Sequence, residues 1–414
     1  MNRTKSGHGT FSIAHRPADI AVEALQSSNQ LESLRAEWIA LADRLRAELP
    51  FNTHQWMAAW WQNLRRANRL TRDAMCVLAF RRDGQLIAVA PYMVTSRHVM
   101  GLPVLRVLQP IGTDPNITEV RCMLVAPQDE HTVTMALVAH ALESIACDAI
   151  VVSGLEADGE ASRQLVLTKG AVESTPTSMY VIDLPATWDE LRASLPRNIR
   201  ESLRKCRNSL ARDGHEPTFK VLRDANEIIA LLPRFFDLHR NRSEAAGTIH
   251  HRDVFGRECD RQFVVDAINT FAALDRAYLF TMEIAGETVA MRLAFACNDC
   301  LYLYYSGYDF AWSKYSVMTS VTSEAIQYAI DAGFKRVNLS TGADQSKLRW
   351  RPREVPTRTV MVQKATLRAR LAHRAIEAGR QVRAQLEKRK AAKLSAAAPA
   401  SPPTSSDSQT TSEN

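Results

Sequence analysis

The sequence predicts an α/β protein in which mixed sheet and helices are arranged as two successive lobes. Three observations carry that expectation. In the stretch 277–350 the apolar pattern runs from strand period to helix period and back, and a similar series occurs once earlier in the chain. The third is size: 414 residues with 46% apolar and 23% charged content can fill two cores. Residues 277–284 read as a strand, Ala285-Gly286-Glu287 as a turn and 288–296 as the antiparallel partner. A second turn at Asn298-Asp299 leads into Cys300-Leu301-Tyr302-Leu303-Tyr304-Tyr305-Ser306-Gly307, whose aromatic residues favour a strand. Gly307 suits a bend or the close approach of another backbone. From 316 to 332, Val317, Val321, Ala325, Ile326, Ala329 and Ile330 recur at helical spacing, and Gly333 supplies the stop. A short strand at 335–340 follows, and Gly342 frees the loop that carries Lys347.

The earlier series opens with a hairpin, 74–80 and 86–94, around Asp83-Gly84. It continues with a loop rich in turn residues at 101–116, a strand at 120–125, a helix at 131–145 and a strand at 149–152 before Gly154. The second half repeats the series with a helix at 226–240, the hairpin around Gly286, the helix from Val317 and the strand from Arg336. The division falls near Thr175, which gives lobes over 21–175 and 176–365 after an N-terminal extension over 1–20. Two mixed sheets set side by side leave a cleft at their junction, a usual place for a ligand.

Composition narrows the class. No apolar run approaches the roughly 18 to 20 residues that span a bilayer, and the N-terminus has no apolar segment behind its basic residues, so neither a membrane span nor a secretory signal is expected. Seven scattered cysteines fit reduced thiols in the cytoplasm better than a disulfide framework. Much of the net charge of +7 sits in a basic helix expected over 366–394, followed by an unpacked Ala, Ser, Pro and Thr tail over 395–414. That helix would meet an anionic surface or simply be solvated, and the lack of an aromatic or leucine-rich opposite face favours solvation.

Three segments carry a family resemblance. The first is Glu37-Trp38-Ile39-Ala40-Leu41 followed by Pro50-Phe51 and a helix with Trp56, Trp60 and Trp61; the second is Leu195-Pro196-Arg197-Asn198-Ile199-Arg200, continuing to Arg204-Lys205; the third is Gly342, Lys347 and Trp350 in a Gly-x-x-x-x-Lys-x-x-Trp ending. In this order they resemble the GNAT acetyltransferase superfamily. The nearer similarity is to the acetyltransferase-like proteins of bacterial cellulose and exopolysaccharide gene clusters, the more distant one to the Fem-type aminoacyltransferases of peptidoglycan. The resemblance implies tandem GNAT-like lobes of the acyl-CoA N-acyltransferase fold, the first degenerate. It also implies transfer of an acetyl or other acyl group from coenzyme A to an amine or hydroxyl of a carbohydrate or cell-envelope precursor. Fem-type aminoacyl transfer from tRNA and a catalytically silent scaffold of exopolysaccharide synthesis stand as alternatives.

Because a thioester is already activated, such a protein has to hold donor and acceptor together, stabilise an oxyanion and accept one proton. The donor pyrophosphate would sit at a helix start, here Ser316, Val317, Met318, Thr319 and Ser320. The family places glycine in this loop, where this chain has Val317 and Met318. Lys347 matches the lysine that the Fem-type resemblance implicates in catalysis or charge stabilisation; the plainer reading is a surface lysine beside Arg349 and Arg351. Arg197, Arg200, Arg204 and Arg207 share one helical face that suits a phosphate-bearing substrate or plain solvation, with Asn198, Arg200 and Arg204 the residues assigned to substrate. His239 and Tyr305 are candidate catalytic residues, His239 as a base or else a helix-end dipole partner, while Asp309 and Gly342 join the residues assigned to substrate; Tyr305 and Asp309 follow the central strand, where cleft lining competes with core and turn roles. No metal site is expected. His250-His251 lack a second spaced pair, and Cys297-Asn298-Asp299-Cys300 reads as a hairpin turn rather than a zinc or redox motif. Trp56, Trp60 and Trp61 fit a buried helix face before a sugar platform.

Overall fold

The computed structural model describes residues 19–114, 116–174, 176–244, 253–366 and 369. Strand β1 (Ala21–Leu25) leads through α1 (Ser28–Ser33) and α2 (Arg35–Arg44) to the tryptophan helix α3 (His54–Leu64). Ser27 and Thr53 cap α1 and α3, each accepting a first-turn amide on its side-chain oxygen, and Pro50 opens the 3-10 turn Pro50–Asn52. Then come β2 (Thr71–Met75), β3 (Val77–Arg82), β4 (Gln85–Ala90), β5 (Tyr92–Val99), β6 (Leu102–Pro110) and β7 (Leu124–Val125). The Asp83-Gly84 hairpin is present, with both residues at positive φ as a two-residue turn demands. Its strands each divide in two, at Cys76 and Pro91, where the chain passes between a four-stranded sheet, β1-β3-β4-β7, and a twelve-stranded one.

Two expectations for this half are corrected. The loop at 101–116 is instead mostly β6, paired with β5 from Tyr92↔Pro110 to Val99↔Leu102. Its turn residues Gly101, Pro103 and Pro110 sit near the strand's ends, where they are tolerated, and apolar residues fill the span between. The strand at 120–125 shrinks to Leu124–Val125 because Arg121 and Cys122 lie against Gly154. A Cβ there would stand 2.5 Å from the Arg121 carbonyl oxygen and 2.4 Å from the Cys122 Cβ.

After α4 (Glu130–Ser144), β8 (Ala149–Glu156), α5 (Glu160–Leu167) and β9 (Ala171–Glu173), the second half begins with β10 (Thr177–Asp183), α6 (Trp188–Ser194), α7 (Arg197–Arg212) and β11 (Pro217–Leu222). It continues with α8 (Ala225–Glu244), α9 (Glu258–Ala272), β12 (Ala277–Ile284), β13 (Glu287–Cys297) and β14 (Cys300–Tyr308). A 3-10 turn (Phe310–Tyr315), α10 (Val317–Asp331), β15 (Arg336–Thr341), α11 (Gln345–Leu348) and β16 (Arg353–Gln363) complete it. Cys297 and Cys300 face each other across the β13–β14 turn, as the hairpin reading expects. Helix α8 runs past 240 to Glu244, so His239 lies inside the helix rather than closing it.

Each half contains the same parallel unit, β6-α4-β8 in the first and β14-α10-β15 in the second, and parallel neighbours need such a crossover. The large sheet is continuous in the order β11-β12-β13-β14-β15-β10-β16-β8-β6-β5-β2, with β9 on β16. Strand β16, the last of the second half, lies between β10 and β8 and joins the two. The halves also share a core, in which Phe51 meets Tyr302 at 5.0 Å and Trp56 meets Phe263 at 4.8 Å between ring centres. The described residues up to Lys364 form one compact unit. No helix among the described residues is long and apolar enough to cross a membrane. The extension, the pair His250-His251, the basic helix and the tail lie almost wholly outside the described residues.

Candidate active site

The irregular segment 111–120 is held on both sides. Asp114 Oδ1 accepts the amides of Asn116, Ile117 and Thr118 at 3.1, 2.6 and 3.2 Å, while its Oδ2 accepts from the Trp60 indole at 2.7 Å. Trp56 donates to the Thr118 hydroxyl at 3.2 Å. From the second half, the Tyr304 and Tyr305 hydroxyls donate to the carbonyls of Ile117 and Asn116 at 2.6 and 2.7 Å. The tryptophans and the aromatic strand β14 thereby fix a loop that backbone pairing alone leaves free.

That loop delivers Glu119. Its Oε1 accepts from the Ser340 hydroxyl and its Oε2 from the Tyr302 hydroxyl, both at 2.7 Å. Loss of water pushes its pKa up to about 7, against the hydrogen bonds from Ser340 and Tyr302 and the positive charges of Lys347 and Arg292. A carboxyl poised there can accept a proton near neutrality.

Glu119 lines a cleft of about 970 Å³, together with Asn116, Arg121, Arg292, His239, Tyr305, Ser340, Gly342, Lys347, Trp350 and the start of α10. Lys347, on α11, donates to the Thr341 carbonyl, stands 3.4 Å from the Gly342 carbonyl oxygen and pairs with Asp344 at 3.4 Å. Desolvation lowers its pKa, while Asp344 and Glu119 favour its charged form. Gly342, at φ 90°, makes the turn that brings α11 back over the cleft. Ser316, in a left-handed conformation at φ 55°, starts α10, and Ser316, Val317, Met318 and Thr319 line the cleft. Val317 is fully buried in the second half's core, so its side chain packs under the helix start. His239 is also buried; its Nδ1 lies 3.2 Å from the Ser306 carbonyl oxygen and its ring is 4.9 Å from that of Phe255.

Other expected residues fall outside this cleft. Ser320 is in the same first turn of α10 but does not line it. Asn198 and Arg200 are exposed on α7, and Asn198 turns its Oδ1 to the Ile199 amide at 2.8 Å. Arg204 borders a second hollow of about 830 Å³ with Lys205, Arg212 and Lys314. Asp309 caps the turn before α10, accepting the Ala311 amide at 3.0 Å and pairing with Arg234 at 3.5 Å, which is the turn role. Sequence reasoning missed Glu119, Ser340, Arg121 and Arg292. The sequence around Glu119, Asn116-Ile117-Thr118-Glu119-Val120-Arg121, mixes polar and apolar residues and carries no motif that marks it.

Residues 197–348 match the family profile described as an acetyltransferase (GNAT) domain. No curated protein matches the chain in sequence. Among solved structures, the crystal structure of FemX is similar at a TM-score of 0.53 and 14% identity, covering 81% of this chain and 96% of that one. A conserved protein of unknown function from Bacteroides thetaiotaomicron is similar at 0.48 and 13% identity, over 83% and 100% of the two chains. A tandem GNAT protein from the clavulanic acid biosynthesis pathway is similar at 0.46 and 10%, over 83% and 98%. The chain is thus a mixed α/β protein in which residues 197–348, the stretch that supplies Lys347 and the start of α10, are similar to an acetyltransferase (GNAT) domain.

Proposed function

We propose that this protein transfers an acetyl or other acyl group from coenzyme A to an amine or hydroxyl of a carbohydrate or cell-envelope precursor, in the cytoplasm and in exopolysaccharide or cellulose synthesis. The observation that carries the reading is Glu119, a carboxyl with a pKa near neutrality, in the same cleft as Lys347 and the first turn of α10. The helix start offers amide donors and a favourable dipole for the donor's pyrophosphate. In the reaction, the acceptor nitrogen or oxygen attacks the thioester carbonyl carbon and gives its proton to Glu119. The carbon–sulfur bond then breaks, and the thiolate leaves and takes up a proton. Lys347 and Arg292 supply positive charge against the negative charge that develops in the cleft.

Titration calorimetry of the full chain with acetyl-CoA and coenzyme A tests the donor. Saturable binding, kept in Glu119→Gln but without thiol release on adding a panel of amino sugars, is the expected result. A folded protein that takes up neither ligand would sink the acyl-CoA reading. Aminoacyl transfer from tRNA is the second reading, favoured by the exposed arginines of α7 and by the FemX-like fold; salt-dependent tRNA binding lost in Arg200→Ala with Arg204→Ala would support it. Binding of neither donor would leave the silent scaffold.

A further inference from the structure

Five of the eight exposed large apolar side chains among the described residues stand in one place. Val99, Met100, Leu102 and Val104 form the tip of the β5–β6 hairpin at 57%, 98%, 70% and 44% exposure, and Leu70, at 70%, is beside them. The His98 amide donates to the Leu70 carbonyl at 2.9 Å, and Val99 pairs with Leu102 across the turn Met100-Gly101. An uncovered apolar hairpin invites aggregation, and an exposed apolar patch of this kind marks an interaction site.

Behind the tip the exposed charge is basic, and the nearest acid from another element, Asp148, is buried and accepts the Arg106 amide at 2.8 Å. Arg69, Arg72 and Arg97 are exposed and Arg106 is half-buried; the register sets Thr71 opposite Arg97, Arg72 opposite Ser96 and Ser96 opposite Arg106. Between residues 62 and 113 the only acids are Asp73 and Asp83. Asp73 has a buried side chain paired with Arg66 at 3.0 Å, and Asp83 is in the other hairpin. A narrow apolar wedge with a collar of arginines matches the layering of an anionic membrane surface, where acyl chains meet the tip and phosphates meet the guanidinium groups. A second protein copy would need a flat apolar face, and the tip is a two-residue turn at φ 50° and 81°.

We infer that the β5–β6 hairpin is a membrane-docking wedge that takes up an anionic phospholipid surface. Strand β6 runs from this tip to Pro110, just before the loop that carries Glu119, so the docking point and the cleft are at opposite ends of one strand, roughly 30 Å apart. Docking therefore holds the protein at the surface without using the catalytic groups, and it does not depend on the acyl-transfer reading.

Cosedimentation of the full chain with vesicles of phosphatidylcholine, with and without phosphatidylglycerol, tests the inference. Binding to the phosphatidylglycerol vesicles is expected. Met100→Asn with Leu102→Ser should weaken it on the order of tenfold or more for each side chain withdrawn from the membrane. Asn is chosen because it tolerates positive φ. Arg69→Ala with Arg72→Ala should weaken binding about fivefold per arginine, and neither double variant should alter acetyl-CoA binding or the melting temperature. Absence of wild-type sedimentation with either vesicle would overturn the inference. So would equal sedimentation of the Met100/Leu102 variant, which would put the contact elsewhere, as in 366–394. Self-association abolished by that variant, without vesicle binding, would assign the patch to a second copy and overturn it as well.

Discussion

Glu119 takes its reactivity from its surroundings: burial raises its pKa, and two hydroxyls and two cations stop it from rising further. Below a pH of about 7 the carboxyl is protonated and cannot act as a base, so kcat/KM should rise with pH through an apparent pKa near 7. Glu119→Gln should lower kcat by a factor on the order of 10² to 10⁴ and flatten that limb, which a pH–rate profile reads. The sign for stability is opposite. A carboxyl with a folded pKa above its unfolded value favours the fold at low pH and loses that contribution as pH rises toward 7. Lys347 holds the Glu119 pKa down, so Lys347→Met should shift the midpoint of the same profile upward. An unmoved midpoint would mean that the two groups do not communicate.

Strand β14 does more than fill a sheet. Tyr302 reaches Glu119, Tyr304 and Tyr305 hold the loop before it, and Gly307 lets α8 pass at close range. A Cβ on Gly307 would lie 2.6 Å from the His239 nitrogen and 2.7 Å from the Leu238 carbonyl carbon, so backbone has to move. Gly307→Ala should therefore cost about 1 to 3 kcal/mol in chemical denaturation, while a Gly286→Ala change, at a turn with open space, is limited to the strain of its positive φ. The periodicities at 277–284 and 316–332 gave these elements almost to the residue, because their local signals agree with their burial. The loop assigned to 101–116 failed for the opposite reason: its prolines and glycine read as turn residues, while the pairing with β5 that makes it a strand is not local.

At the scale of the molecule, the two halves are interdependent. Strand β16 is bonded to β10 of the second half and β8 of the first, and Trp56 and Phe51 pack among the rings of Phe263, Phe295 and Tyr302. Residues 177–364 expressed alone would expose that aromatic core and lack Glu119 altogether. They should fail to give a cooperative thermal transition, and coexpression with 19–174 should restore one together with donor binding; an independently folding second half would contradict the shared core.

The sequence by itself determined the order of three strands, a helix and a strand over 277–341 and singled out Lys347, Gly342 and Ser316 to Thr319, which face one cleft, since each rests on local periodicity or a short motif. Only the tertiary structure decided the partner of those groups. Glu119 lies more than 180 residues before Ser340 and reaches it through Trp56, Trp60, Tyr304 and Tyr305, whose side chains order a segment without regular backbone structure of its own. No window of sequence contains that contact. A carboxyl acquires a pKa of about 7 only once both halves have excluded water from it.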